Sequence, residues 1–320
     1  MKAYNREKQK TTRLKYFLKQ QVVAGLFQEA LQLKHDFILC INIIKKKQQR
    51  AHMRNIYFFA KVQVDLEPNV IDDMKSVDHL DHYSTSTFAR GHYMAGNRMI
   101  GKVRDQLRKL ADSCDNIMGF MMTNSIGGRN RLWFGHVDLG KSANRLPKKK
   151  KITKVGCVIY PSHTFSISIL EPYNALFGMQ WLVNFTDIVL VFDNESIYNI
   201  CQRNLHIAKP DISNVNRLIA KVISSTTASL RFSGESSADL NELQMSLVAF
   251  PRLHFMTTGM SPIVSKMDIT TTPNDMQAIT DKCFKPTNWL VRYDSFDPTE
   301  DKYMSVMLNY RGNVTSRRGW

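Results

Sequence analysis

Residues 124–138 read NSIGGRNRLWFGHVD, and the first half of this stretch has the composition of a phosphate cradle. A strand-like run, NIMGFMMT, delivers the chain into Ser125, Gly127 and Gly128. Paired glycines let backbone N–H groups approach an anion closely, and they serve an ordinary tight turn equally well. Polar residues also follow other strand-like runs: Glu67 after VQVDL, Glu171 after ISIL and Asn194 after DIVLVFD. If those strands are parallel neighbours, these side chains and Ser125 converge on one crevice. Other combinations offer less chemistry. VDHLDHY supplies His79, Asp81 and His82 but no third element at metal-ligand spacing. His136 and His163 have no paired nucleophile or orienting acid, and no serine or cysteine triad assembles. Glu242, in DLNEL, reads by itself as a solvated helix carboxylate.

The elements that position these residues alternate between two periodicities. VGCVIYP, 155–161, and DIVLVFD, 187–193, are continuous apolar runs of the kind buried on both faces of a parallel sheet. RMIGKVRDQLRKLAD, 98–112, places Met99, Ile100, Val103, Leu107 and Leu110 at helical spacing. NESIYNICQRNL begins at a candidate Asn194 cap. SNVNRLIAKVISSTTASLRF reads as one long helix behind a Ser213 cap. Strand–helix alternation predicts an α/β fold with a doubly wound, mostly parallel sheet. Past the long helix, ADLNELQMSLV, a PRLHF strand and YMSVMLNYRG predict a partial α+β second domain. The expected division is a basic segment over 1–54, an α/β domain over 55–231 and a mixed α+β unit over 232–320.

The chain has 320 residues and a formal net charge of +16, and the charge is concentrated. Residues 1–60 carry 13 Lys or Arg against 3 acids, and KSANRLPKKKKITK, 141–154, carries 7 with no acid. The rest of the chain is therefore close to neutral. Two basic segments on a neutral domain read either as a polyanion footprint or as a solvated tail and loop. No aromatic residue interleaves the lysines of 141–154 for base stacking, which disfavours a nucleic-acid partner there. Five widely spaced cysteines without a CxxC pair point to reduced thiols in a cytosolic protein. The longest apolar run, FILCINII, is too short to span a bilayer, so no membrane partner is expected.

Taken in order, VDLEPNVID, FARGHYMAG, VRDQLRKLAD, ILEPYNALF, DNESIYNICQRNL, NVNRLIAKVISSTTASLRF, DLNELQMSLVAFPRLHF and CFKPTNWLVRYD resemble the tubulin family over approximately residues 60 to 314. CQRNL, SSTTASLRF and the acid at Glu242 resemble its alpha chains. The resemblance implies a GTP-binding cytoskeletal protein of the cytoplasm with Mg2+ beside the nucleotide, forming a heterodimer with beta-tubulin and entering the microtubule lattice. It further implies that Glu242 is the catalytic residue, acting by hydrolysis on the GTP of a partner beta chain. Ser125, Gly127 and Gly128 match the first half of the phosphate loop, Asn130 falls at a cofactor-binding position in its second half, and Glu171 matches the ribose contact. Asn194 and Asn216 match the guanine-reading asparagines, and Glu67 the magnesium-side acid.

This sequence also departs from the family pattern. GGGTGSG reads GGRNRLW, which places Arg129, Asn130, Arg131, Leu132 and Trp133 where backbone should approach phosphate. Ile212 stands where a base-stacking tyrosine is expected. The chain stops at RGNVTSRRGW, which predicts that the family's C-terminal helical domain is absent. The alternative reading is a degenerate tubulin paralogue that has lost nucleotide binding and polymerisation and serves at most as an interaction module.

Overall fold

The computed structural model describes residues 39–49, 54–64, 88, 92, 93, 96–112, 116–127, 152–161, 170–231, 239–265, 267–271, 275–293 and 301–310. Six strands form one sheet in the order β2-β1-β3-β4-β5-β6. They are β1 (Leu39–Gln49), β2 (Arg54–Val64), β3 (Asn116–Ser125), β4 (Thr153–Tyr160), β5 (Ile188–Asp193) and β6 (Phe255–Thr257). From β3 to β6 every pairing is parallel. β1 runs antiparallel to both β2 and β3. Two reversals restore direction, so β2 ends at the same edge of the sheet as β3, β4 and β5. β1 lies within the 1–54 stretch and sits inside the sheet, flanked on both sides.

The helices are α1 (Gly96–Asp112), α2 (Glu171–Phe185), α3 (Asn194–Leu205), α4 (Ile212–Thr226), α5 (Ala228–Arg231), α6 (Leu240–Leu247) and α7 (Met276–Phe284). Alternate residues of a strand face opposite sides, and the core divides accordingly. Val155, Cys157 and Ile159 of β4, with Ile188, Leu190 and Phe192 of β5, pack on one face against Ile197 and Ile200 of α3, Val215 to Ile223 of α4, and Leu240 and Leu243 of α6. Val158, Val189 and Val191 pack on the other against Leu182 of α2 and Ile126. Helices on both faces of a largely parallel sheet make the fold the expected doubly wound α/β class. Burying both faces explains why β4 and β5 are apolar throughout rather than alternating.

Several boundaries differ from the sequence reading, each for a local reason. Asp193, not Asn194, caps α3: its backbone is extended and its carboxylate accepts the Glu195 N–H at 3.1 Å. Asp211 rather than Ser213 precedes α4 in an extended conformation. The long helix ends at Thr226, because the buried Thr227 hydroxyl donates to the Ile223 carbonyl at 2.8 Å and turns the chain before α5. PRLHF is mostly turn, and the strand begins only at Phe255. Residues 303–310 carry no strand.

Candidate functional site

The carboxyl ends of β3, β4 and β5 gather part of the expected site. Ser125 closes β3, and the Ile126 N–H continues the ladder to the Ile159 carbonyl at 3.0 Å. That bond delivers Gly127 against the end of β4. A Cβ added at Gly127 would lie 3.0 Å from Pro161 Cβ and 3.7 Å from Glu171 Cγ, so glycine is what permits this approach. Glu171 is the first residue of α2, with Pro172 in the same first turn. Proline there gives up only an N–H that has no helical acceptor, and an acid suits the positive end of the helix. Ser125, Gly127 and Glu171 are therefore brought together. Gly128, Asn130, Glu67 and residues 129–133 lie outside the described residues.

Two strands along, Asn194 is the first residue of α3. Its side-chain oxygen is buried and has no hydrogen-bond partner among the described residues. Asn216 lies one turn into α4 at 1% exposure, and neither its amide oxygen nor its amide nitrogen has a partner there. A buried polar atom without a partner costs about 1–3 kcal/mol, and native proteins keep few of them. Three such atoms on two asparagines match the demand of a base edge, since an amide offers both donor and acceptor. The residues present therefore fit the base of a nucleotide. Ile212, at the start of α4, is 41% exposed.

Asp193 organises the turn beside Asn194. Its carboxylate accepts the Glu195 N–H and the Ser196 hydroxyl, the latter at 3.2 Å. Its own N–H donates to the Leu290 carbonyl at 2.8 Å. Burial pushes the Asp193 carboxyl above the ordinary range, outweighing the hydrogen bonds from Glu195 and Ser196. The spacing Asp193–Ser196 in DNES was the available signal for this cap, and motif matching passed over it because it favoured the adjacent asparagine. Asn174, another buried residue the sequence reading did not single out, accepts the Phe88 N–H at 2.9 Å and ties that residue to α2. Burial also lifts the Cys157 thiol to about 12, which makes it an inert core group rather than a nucleophile.

Glu242 is elsewhere. It stands exposed on the first turn of α6, where its carboxylate accepts the Asp239 N–H at 3.0 Å and completes a capping box. α6 is fastened to the amino end of the sheet. The Thr153 hydroxyl donates to Asn241 Oδ1, and Gln244 Nε2 donates to Asp187 Oδ1 at 3.4 Å. Thr153 opens the eight-residue β4 whose other end meets the Gly127 turn. At about 3.3 Å per residue, Glu242 and the Gly127–Glu171 corner lie at opposite edges, roughly 20 Å apart along the strand. One chain does not bring Glu242 to its own candidate site. Among the described residues no group of three His, Cys, Asp or Glu could hold a metal, and no helix is long and apolar enough to cross a membrane.

The fold is that of a doubly wound α/β protein, and its candidate ligand site lies outside the carboxyl ends of its strands. Residues 26–202 match the profile of the Tubulin/FtsZ family GTPase domain, and residues 251–318 match that of the tubulin C-terminal domain. The chain belongs to the tubulin family. It is 40% identical over 267 residues to the tubulin alpha-1 chain of Saccharomyces cerevisiae, covering 80% of this chain and 58% of that one. It is 41% identical over 267 residues to the tubulin alpha-3 chain of the same yeast, covering 80% and 59%. The tubulin alpha-2 chain of Schizosaccharomyces pombe is 39% identical over 272 residues, covering 82% and 59%. The chain thus spans less than two thirds of the length of these relatives. The first match begins well ahead of residue 60, where the resemblance seen by motif began, and takes in β1 and β2.

Proposed function

We propose that this chain is an alpha-tubulin-like cytoskeletal protein that binds GTP at the carboxyl edge of its sheet. The observation that carries the reading is Asn216, buried with both polar atoms of its amide unpartnered, together with the orphaned Asn194 oxygen. Guanine presents one acceptor and two N–H donors on its edge, and an amide can meet both kinds. Ser125, Gly127 and Gly128 would contribute to the phosphate side, Glu171 would meet the ribose, and Glu67 would stand on the Mg2+ side. Bound GTP would present its base edge to these residues, and by the resemblance its phosphoanhydride is not the one hydrolysed. This chain's part is to hold the base and exclude water from it.

Glu242 acts on a different nucleotide in this reading. Its exposure, its fixed capping geometry and its place at the amino edge suit a carboxylate that orients an attacking water on the GTP of a beta-tubulin partner packed against that edge. The heterodimer, the microtubule lattice and a cytoplasmic location follow from the same reading.

The alternative is a degenerate paralogue without nucleotide, and the sequence GGRNRLW favours it, because Arg129 to Trp133 replace the small residues that the family's GGGTGSG pattern keeps there. One experiment separates the two. The purified chain is denatured and the released nucleotide identified by chromatography, with and without prior incubation with GTP and beta-tubulin. Stoichiometric guanine nucleotide is the expected result. Empty protein that neither takes up GTP nor pairs with beta-tubulin establishes the degenerate reading instead. In the assembled pair, Glu242→Ala should abolish hydrolysis while leaving the nucleotide content of this chain unchanged.

A further inference from the structure

Asn194 cannot read a base edge unless something fixes the first turn of α3, and the structure shows what does. A residue at the first helical position has no intrahelical acceptor for its N–H, so its direction depends on the cap before it. That cap is Asp193, held from three sides: by the Glu195 N–H at 3.1 Å, the Ser196 hydroxyl at 3.2 Å and the bond from its own N–H to the Leu290 carbonyl at 2.8 Å. Leu290 is fully buried and is itself tied to the residue that follows β6, its N–H donating to the Thr258 carbonyl at 2.9 Å. Asn204, at the far end of α3, donates from Nδ2 to Asn288 Oδ1 at 3.0 Å, and Arg292 reaches Glu195 at 3.9 Å. Both ends of α3 are therefore fastened to residues 288–292, which lie in the region matching the tubulin C-terminal domain rather than the GTPase domain.

We propose that Asp193 is a positioning residue for base discrimination, aiming the unpartnered Asn194 oxygen through the cap of α3 and the Leu290 clamp. Asp193 does not touch the nucleotide in this account. It acts through Asn194, whose lone acceptor suits an N–H donor on guanine and opposes the bare ring nitrogen that adenine presents at the same place. The second matched region thereby becomes part of the specificity of a site to which the first contributes Asn194.

The inference rests on the GTP-binding reading, and the test keeps the two apart. Dissociation constants for GTP and ATP are measured by competition against a fluorescent GTP analogue on the full chain, and the ratio of the two is the readout. Asp193→Ala should reduce the preference for GTP by about threefold to tenfold, the worth of one net hydrogen bond. Asp193→Asn keeps an acceptor for the Glu195 N–H and should restore the ratio. In an Asn194→Ala background, Asp193→Ala should produce no further loss, because the two act through one contact. Asp193→Gly, a tolerated cap without a side-chain acceptor, gives the same reading if the alanine variant does not fold. A variant that binds GTP with the parent's ratio, or losses that add in full in the double variant, would overturn the positioning role alone. A parent chain that binds neither nucleotide overturns the GTP-binding reading and this inference with it.

Discussion

The two edges of the sheet are built from similar materials to opposite ends. At the amino edge, Asp239 and Glu242 close a capping box, Asn241 meets Thr153, and Gln244 meets Asp187. At the carboxyl edge, Asn194 and Asn216 carry buried polar atoms that no described residue satisfies. A self-satisfied edge can present a group to something outside, as it presents Glu242, without reorganising. An unsatisfied edge carries a cost that only a ligand or water removes. The difference suggests which edge holds a nucleotide and which edge meets a partner.

The contrast is broken most sharply at Asn216. Replacing it with leucine deletes both unpaired atoms while keeping the same branching and number of heavy atoms. The chain without nucleotide should gain about 1–3 kcal/mol in chemical denaturation, while GTP affinity should fall by roughly ten- to a hundredfold. A stability loss with unchanged affinity would show that Asn216 is an internal structural group and that the two edges do not differ as described.

A smaller effect probes the amino edge. A Cβ at Gly119 would stand 2.5 Å from Leu240 Cδ1 and 2.9 Å from the Thr153 carbonyl oxygen. Gly119→Ala should therefore push α6 away from β4 at a cost of about 1–3 kcal/mol, as overpacking does. In the assembled pair it should slow hydrolysis on the partner while sparing the nucleotide bound by this chain. Equal damage to both readouts would mean that the edges are not independent.

The smallest expected effect is pH-dependent and belongs to neither edge's chemistry. His254 is buried between β6 and α2, within reach of the Thr186 hydroxyl at 3.1 Å and the Leu182 carbonyl at 3.3 Å. Burial lowers its pKa below the ordinary 6.5, against the opposing pull of the Leu182 carbonyl and the Asp187 charge. The unfolded chain then binds a proton that the folded chain refuses, so stability is present above about pH 6.5 and is lost as pH falls through the lowered value. Denaturation midpoints followed from pH 7.5 downward should decline, and His254→Gln should flatten the decline. An unchanged slope in the variant would place the effect in another group.

Much of the local structure was legible because its causes are local. The apolar runs of β4 and β5 announce burial on both faces, and Gly127 announces a close approach, which Pro161 and Glu171 supply. Asn194 stood out as a candidate by its place after an apolar run, and Asn216 became one only through the resemblance. The caps were misread by one or two residues because Asp, Asn and Ser compete for the same role, and backbone geometry rather than residue type chose Asp193 and Asp211. β1 was not legible as a whole, since its apolar LCINII runs straight into the charged and polar KKKQQ and the pattern changes halfway along the strand.

The sequence by itself determined the α/β class, the strands that lie buried, the glycine turn and the family, because burial preference and motif order are properties of neighbouring residues. Only the tertiary structure decided that β1 enters the sheet antiparallel, that Glu242 stands at the edge opposite Gly127, that Leu290 clamps Asp193, and that the two asparagines are left unpartnered. Each of these depends on which distant segments pair, and a hydrogen bond made or withheld across more than fifty residues is settled by packing rather than by the types of the residues nearby.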